Sequence, residues 1–98
     1  MLNTDTSNAV LYFWNSSCNV CGPLYDKLET LLQEKFPLLE LHKINIVDHP
    51  ELRSRYSVFT SPLIILLLDG KEYLRTSGNV SIHELQQKID RLYDLKFG

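Results

Sequence analysis

Short apolar stretches and segments with helical spacing alternate along the first half of the chain. Residues 9–14 are apolar and aromatic and are followed by the polar sequence NSS, which predicts a buried strand. From Val20 onward, apolar residues recur every three or four positions, which predicts a helix. This helix should end at Phe36, because the residue before a proline is pushed out of the helical region. Residues 39–46 predict a second strand.

The second half of the chain predicts a short helix, a hairpin and a closing helix. The segment DHPE, residues 48–51, offers an aspartate N-cap, an early proline and an acid three residues after the cap, so a short helix should follow. Strands at 63–68 and 72–76 flank the dipeptide Asp-Gly at 69–70, a strong hairpin signal. The segment SIHE, residues 81–84, is a capping box and should begin the last helix.

The predicted order of elements is β-α-β-α-β-β-α. A strand, a helix and a strand form a right-handed parallel unit, and residues 63–68 lack polar alternation, as expected for a strand covered on both faces. We therefore expect an α/β fold with a four-stranded mixed sheet and helices on both faces. Ligands of such sheets bind beyond the carboxyl ends of the parallel strands. Cys18 and Cys21 should lie there, between the first strand and the first helix.

Length, charge and composition narrow the class of protein. The chain has 98 residues and 44% hydrophobic content, which predicts one soluble globular domain over residues 1–98. Acidic and basic residues are interleaved and the net charge is −2, which argues against nucleic acid or an anionic membrane as a partner. The longest apolar run, Leu63–Leu68, is too short to span a bilayer. The N-terminus shows no secretory signal, so a cytoplasmic protein is expected. We also expect the protein to be a monomer.

Cys18 and Cys21 are the chain's two cysteines, and they form a CxxC motif. A stable structural disulfide is disfavoured in a reducing compartment, and closing so short a loop would stabilise the fold by only about 2 kcal/mol. A structural zinc site uses four ligands, whereas His42, His49 and His83 are scattered and there is no second cysteine pair. We therefore predict no metal site, although a metal shared between two chains stays an alternative.

The position of the cysteine pair suggests a chemical role for it. If Cys18 lies near the helix N-cap and Cys21 at the third helical position, the backbone N–H groups of Val20 and Cys21 should point toward the sulfur of Cys18. Together with the helix dipole, these groups would favour a thiolate there. Cys18 would then be the attacking thiolate, and Cys21 the less acidic thiol that resolves the mixed disulfide.

Three segments together resemble the thioredoxin family: FWNSSCNVC at 13–21, NIVDHPELRSRYSVFTSP at 45–62 and LIILLLDGKEYLRTSG at 63–78. The resemblance covers nearly the whole chain and implies a near-minimal thioredoxin fold without the N-terminal strand and helix of classical members. It implies a redox-active disulfide between Cys18 and Cys21 and no bound cofactor. A disulfide-containing protein or small thiol would be the substrate, and a reductase partner would recycle the dithiol.

The resemblance also implies roles for the residues around the pair. Cys18 matches the family's nucleophile and Cys21 its resolving cysteine. Pro62 matches a cis proline that lies against the pair, and Ser61 before it would offer backbone groups to an extended substrate. Trp14 is expected to form a wall of the site.

The sequence departs from the family pattern at several positions of the site. Asn19 and Val20 stand between the cysteines where reducing thioredoxins have Gly-Pro, and Ser17 replaces a tryptophan. Tyr12 occupies the place of the buried aspartate that accepts the proton of the resolving thiol. A tyrosine with a pKa near 10 cannot be that base at neutral pH. We therefore predict slow release of the mixed disulfide, with Tyr12 acting as a core aromatic.

The function predicted from these features is thiol-disulfide exchange. Cys18 would attack a disulfide, Cys21 would resolve the intermediate, and the expected compartment favours reduction over oxidation. Two alternatives stay open. One is a redox sensor or a non-turnover binding module that uses the cis-proline groove, and the other is a metal carrier that uses the cysteine pair.

Overall fold

A computed structural model describes residues 8–78 and 80–98, and in these ranges the chain forms four strands and three helices. The strands are β1 Ala9–Trp14, β2 Glu40–Asn45, β3 Leu63–Leu68 and β4 Lys71–Ser77; the helices are α1 Cys21–Lys35, α2 Pro50–Arg55 and α3 Ile82–Phe97. The predicted order of elements is confirmed. None of these three helices is long and apolar enough to cross a membrane. The N-terminal segment considered for a secretory signal falls almost entirely in residues 1–7, outside the described residues.

The four strands form one mixed sheet in the order β2-β1-β3-β4. β1 runs parallel to β2 and antiparallel to β3, and β3 pairs antiparallel with β4. Phe13 pairs with Ile44 on one side and with Leu63 on the other. The end of β1 therefore lies beside the start of β3, at the same edge of the sheet. This register brings the loop after β1 next to the segment that precedes β3.

Side chains of β1 alternate between two apolar cores on opposite faces of the sheet. Val10 and Tyr12 belong to the larger core, which includes buried residues of α1 and α3. Leu11 and Phe13 belong to the smaller core, which includes Leu52 of α2. All six residues of β3 are buried. Helices thus cover both faces of the sheet, as the uninterrupted apolar sequence of β3 predicted.

The starts of α2 and α3 test the two N-cap residues predicted from the sequence. The Ser81 hydroxyl accepts a hydrogen bond from the Glu84 backbone N–H at 3.3 Å, so the predicted cap of α3 is confirmed. The prediction for α2 is wrong by one residue, because its N-cap is His49 and not Asp48. Proline is favoured at the first helical position, where its missing N–H has no intrahelical partner. Pro50 takes that position in α2, which makes the preceding histidine the N-cap.

The turn between β3 and β4 contacts residues near both ends of the described chain, Asn8 and Lys96. Asp69 and Gly70 have φ angles of 53° and 78°, the left-handed pair that a type I′ turn requires. The backbone N–H of Asp69 donates to Asn8 Oδ1 at 3.0 Å, and the Lys96 ammonium lies 2.6 Å from its carboxylate. Asn8 therefore connects the start of β1 to the hairpin. This contact lies at the opposite end of β1 from the cysteine loop, residues 15–20, which carries Cys18.

Candidate active site

The two cysteines form a disulfide between the end of β1 and the start of α1. Cys18 lies in the loop and is partly exposed. Cys21 is the first residue of α1 and is only 2% exposed, because it packs in the larger core. Of the two residues, Cys18 is therefore the one that a second molecule can reach.

Helix α1 begins later than the sequence predicted. Its N-cap is Val20, so Cys21 is the first helical residue and Cys18 lies two residues before the cap. A turn at residues 19–20 delays the helix, and the first bond of its ladder runs from the Leu24 N–H to the Val20 carbonyl at 3.1 Å. The Cys21 N–H donates to the Cys18 carbonyl oxygen at 3.4 Å. In the disulfide form this N–H therefore has a backbone acceptor, and its contact with a Cys18 thiolate stays a prediction for the reduced protein.

The segment before β3 has the conformation that the family resemblance implied. The peptide bond between Ser61 and Pro62 is cis. Pro62 is buried, and its carbonyl oxygen accepts a hydrogen bond from the Gly78 N–H at 3.2 Å. Ser61 is partly exposed. This hydrogen bond joins the cis-proline segment to the end of β4.

Tyr12 is a fully buried residue of the core directly behind the cysteine pair. Its hydroxyl donates to the Cys21 carbonyl oxygen at 2.5 Å, and its ring centre lies 5.4 Å from that of Tyr25. Burial raises the pKa of Tyr12 to about 12, and the negative charge of Asp26 adds to the shift. Tyr12 is thus a neutral hydrogen-bond donor at physiological pH, and the prediction that it is a core aromatic is confirmed.

Asn15 is a site residue that sequence reasoning missed. Its Nδ2 donates to the Ser61 hydroxyl at 2.9 Å, and its Oδ1 accepts from the Ser17 N–H at 2.9 Å. Its carbonyl oxygen accepts from the Cys18 N–H at 3.2 Å. An asparagine that follows a predicted strand in the sequence NSS is a signal for a local side-chain turn. The partner 46 residues away could not be inferred from that signal.

Residues 1–91 match the family model described as Thioredoxin. The chain belongs to the thioredoxin family. It is 38% identical over 88 residues to YdfQ, a thioredoxin-like protein of Bacillus subtilis, a match that covers 90% of this chain and 78% of that protein. It is 30% identical over 89 residues to the thioredoxin of the same organism, a match that covers 89% of this chain and 85% of that protein.

Solved thioredoxin structures have the same fold as this family member. Thioredoxin 1 of Thermosipho africanus superposes with a TM-score of 0.81 at 29% identity, covering 89% of this chain and 96% of that chain. The thioredoxin of Fasciola hepatica superposes with a TM-score of 0.78 at 30% identity, covering 90% and 83% of the two chains. The resemblance found in the sequence and the predicted thioredoxin fold are confirmed. Family membership and the Cys18–Cys21 disulfide support thiol-disulfide oxidoreductase chemistry.

Trp14 closes β1 at the same edge of this thioredoxin fold. It is partly exposed and packs against the larger core. The Lys43 ammonium lies 4.9 Å from the Trp14 ring centre and 4.5 Å from the Tyr25 ring centre. A cation above an aromatic face is attracted by the ring's electrons. Trp14 thus presents a partly exposed aromatic ring, with a lysine on its face, at the end of the strand that leads to the loop of residues 15–20.

Asn19 and Val20, the residues between the cysteines, are exposed. They line an open groove of about 600 Å³ together with Pro23 of α1 and with Val80 and Ile82 at the start of α3. The Val20 side chain is half exposed in the free protein. The groove therefore has an apolar wall immediately beside the disulfide.

The described residues hold no group of three or more His, Cys, Asp or Glu side chains that could bind a metal ion. His42 lies in β2, His49 caps α2 and His83 lies in α3. Cys18 and Cys21 therefore have no third side chain of these types beside them among the residues that the structure describes.

Proposed function

We propose that this thioredoxin-family protein reduces disulfides in proteins or small molecules, with Cys18 as the nucleophile and Cys21 as the resolving thiol. The observation that carries the proposal is the unequal exposure of the pair. Cys18 is partly exposed in a loop, whereas Cys21 is 2% exposed at the start of α1. An attacking sulfur must meet the substrate, and a resolving sulfur needs only to reach its neighbour.

The exchange proceeds in two steps that transfer two electrons from the cysteine pair to the substrate. The Cys18 thiolate attacks one sulfur of the substrate disulfide, and the other substrate sulfur leaves as a thiolate. Cys21 then loses its proton and attacks the Cys18 sulfur of this mixed disulfide, which expels the second substrate sulfur. The substrate gains two electrons and the Cys18–Cys21 pair loses them. A reductase or a dithiol of higher reducing power returns the pair to its reduced form.

Ser61, Pro62 and Trp14 form the substrate-binding surface in this proposal. Ser61 lies two residues before the ladder of β3, so its backbone is available to an extended segment of substrate. The cis-proline segment adjoins the Cys18 loop through the hydrogen bond between Asn15 and Ser61. Asn19 and Val20 extend the same surface into the groove beside α3.

Release of the mixed disulfide is the slow step of the proposed cycle. Tyr12 stands where the family has a carboxylate, and its raised pKa of about 12 makes it a hydrogen-bond donor at neutral pH. The Cys21 proton must therefore pass to water or to the departing substrate thiolate. The same feature favours the alternative of a redox sensor or a binding module with little turnover.

The compartment and the partners complete the proposal. A reducing compartment, the cytoplasm, maintains the dithiol form that attack requires. The partner is a reductase that recycles the pair, and the protein acts as a monomer without a bound cofactor.

The proposal is tested by the reduction of insulin by the wild type and by Cys18→Ser and Cys21→Ser variants. Cys18→Ser should lose the activity. Cys21→Ser should form a mixed disulfide with insulin that persists in non-reducing electrophoresis, because nothing inside the protein resolves it. Reaction through Cys21 in the Cys18→Ser variant would contradict the assigned roles. Reversible oxidation of the wild type without insulin turnover would support the sensor instead.

The direction of electron flow is tested by the reduction potential of the pair in glutathione buffers. A potential near the thioredoxin range of about −270 mV would support a reductase, and one nearer −120 mV would make the protein an oxidant. Cys21→Ser, which cannot form the internal disulfide, is the control for glutathione adducts at Cys18.

A further inference from the structure

We infer that Asn15 is a positioning residue of the exchange reaction, which holds the Cys18 loop against the cis-proline segment through the Ser61 hydroxyl. This inference rests on the proposed function and deepens it, because it adds a residue that determines how a protein substrate meets the nucleophile. Asn15 itself does not take part in bond making or proton transfer.

The Asn15 side chain uses both ends of its amide. The Ser17 backbone N–H can only donate, so the amide oxygen must face it, at 2.9 Å. The amide nitrogen then faces the Ser61 hydroxyl, at 2.9 Å, and the hydroxyl accepts. With the bond from the Cys18 N–H to the Asn15 carbonyl, one residue holds both the nucleophile's loop and the substrate-binding segment.

These bonds connect the Cys18 loop to the cis-proline segment and that segment to β4. The Cys18 N–H donates to the Asn15 carbonyl oxygen, the Asn15 amide donates to the Ser61 hydroxyl, and the Gly78 N–H at the end of β4 donates to the Pro62 carbonyl oxygen. Three separate segments of the chain are thus connected by hydrogen bonds, and the first of them carries the partly exposed Cys18. The Asn15 amide is the side-chain link between the first two segments.

The link has the greatest effect on the reduced protein. Cys18 precedes α1 and packs against the larger core, but its loop neighbours at 16, 17, 19 and 20 are exposed and contribute little packing. In the disulfide form, the bond to Cys21 restrains Cys18. In the dithiol form that covalent restraint is gone, so the position of the Cys18 sulfur depends more strongly on the hydrogen bonds that Asn15 makes.

A protein disulfide and a small disulfide should respond differently to the loss of this link. A protein substrate must contact the Ser61 segment and present its disulfide to Cys18 at the same time. A small disulfide needs only to reach the Cys18 sulfur. Misplacement by about 1 Å can slow a reaction roughly 100-fold, and a loop that is loosened but still connected should lose less. For Asn15→Ala we expect a second-order rate constant with insulin lowered about tenfold.

The experiment mixes pre-reduced protein with excess disulfide in a stopped-flow instrument and follows oxidation of the pair. With bis(2-hydroxyethyl) disulfide, the Asn15→Ala rate constant should stay within about twofold of wild type. Ser61→Ala should reproduce the part of the insulin defect that comes from this bond, and Asn15→Ala/Ser61→Ala should be no slower than Asn15→Ala, since Asn15→Ala already removes the bond to Ser61. Ser61→Thr keeps the hydroxyl and should restore most of the rate.

Asn8→Ala is the matched control. Asn8 also flanks β1 and also uses its side chain to hold a distant loop, accepting from the Asp69 N–H at 3.0 Å, but it lies at the opposite end of the strand. It should leave both rate constants unchanged. An equal loss for insulin and the small disulfide, additive effects of the Asn15 and Ser61 changes, or an insulin defect in Asn8→Ala would each overturn the inference.

The proposed function and this inference fail in distinguishable ways. If Cys18→Ser still reduces both disulfides, the proposed function is wrong. If both reactions depend on Cys18 and Asn15→Ala reacts with insulin like the wild type, the proposed function stands and Asn15 has no positioning role.

Discussion

Replacing Tyr12 by phenylalanine tests whether the hydroxyl behind the disulfide acts in catalysis or in packing. The change removes one hydrogen-bond donor and keeps the ring that packs in the larger core against Tyr25. It breaks the 2.5 Å bond from the Tyr12 hydroxyl to the Cys21 carbonyl oxygen. That oxygen keeps the helical N–H four residues further along, so it is not left without a donor.

The expected sizes of the two effects differ widely. One buried hydrogen bond contributes about 0.5–1.5 kcal/mol, so the free energy of unfolding should fall by about 1 kcal/mol and the Tm by about 4–8 °C. The pKa of Tyr12 is about 12, five units above pH 7, so only about one molecule in 10⁵ carries the phenolate that could accept a proton. Loss of the hydroxyl should therefore leave the release of the mixed disulfide unchanged.

The assay separates the release step from the attack. Pre-reduced protein reacts with insulin in a quenched-flow instrument, acid stops the exchange, and alkylation followed by mass spectrometry measures the mixed disulfide over time. The release rate of Tyr12→Phe should lie within about twofold of wild type at pH 7. Urea unfolding of the same preparations gives the stability change.

One result would refute this reasoning. A release rate more than about fivefold slower in Tyr12→Phe, with a stability loss of no more than about 1 kcal/mol, would mean that the hydroxyl takes part in proton transfer. Tyr12→Asp is the complementary variant, since it restores a carboxylate at this position. It should release the mixed disulfide faster than wild type if it folds, and a rate equal to wild type would contradict the prediction that a missing base limits release.

Three further predictions concern pH and stability. Because the folded-state pKa of Tyr12 is raised from 10 to about 12, the stabilisation linked to its protonated hydroxyl is fully present below pH 10 and is lost as pH rises through 12. Raising the pH over that range should therefore lower the free energy of unfolding of wild type by about 2–3 kcal/mol more than that of Tyr12→Phe, and parallel alkaline curves would contradict this. Ser81→Ala removes the side-chain cap of α3 and should lower the free energy of unfolding in urea by about 1 kcal/mol. Ser81→Asp keeps a capping oxygen and should retain most of the wild-type stability. An unchanged urea midpoint in Ser81→Ala would argue against a stabilising cap. Leu28→Ala empties a fully buried position of the larger core and should cost about 2–5 kcal/mol in thermal or urea unfolding, far more than any surface substitution on the same helix.

The sequence by itself determined the elements and much of the site's chemistry. Strand and helix periods, the Asp-Gly turn at 69–70 and the Ser81 cap act within a few residues, so they can be recognised without knowledge of the rest of the fold. The CxxC motif between a predicted strand and a predicted helix pointed to the reactive pair for the same reason. The parallel unit then located that pair at the functional edge of the sheet, because right-handed connection leaves little choice of topology.

Helix starts were the weaker part of the sequence prediction. α1 begins at Cys21 and α2 has His49 as its N-cap residue, each later than predicted. A turn and a proline decided these positions, and both compete with side-chain capping within the same three or four residues. The consequence for function is that Cys18 belongs to a loop and not to the first turn of a helix.

The tertiary structure alone decided which side chains meet around the cysteines. Asn15 contacts Ser61 across 46 residues because β1 and β3 pair with Phe13 opposite Leu63, and Tyr12 reaches the Cys21 carbonyl because α1 packs on that face of β1. Neither contact has a local signal, since it depends on the register of two strands and the placement of a helix on the sheet. Local periodicity reflects interactions of near neighbours in the chain, whereas these contacts arise only after the whole sheet has assembled.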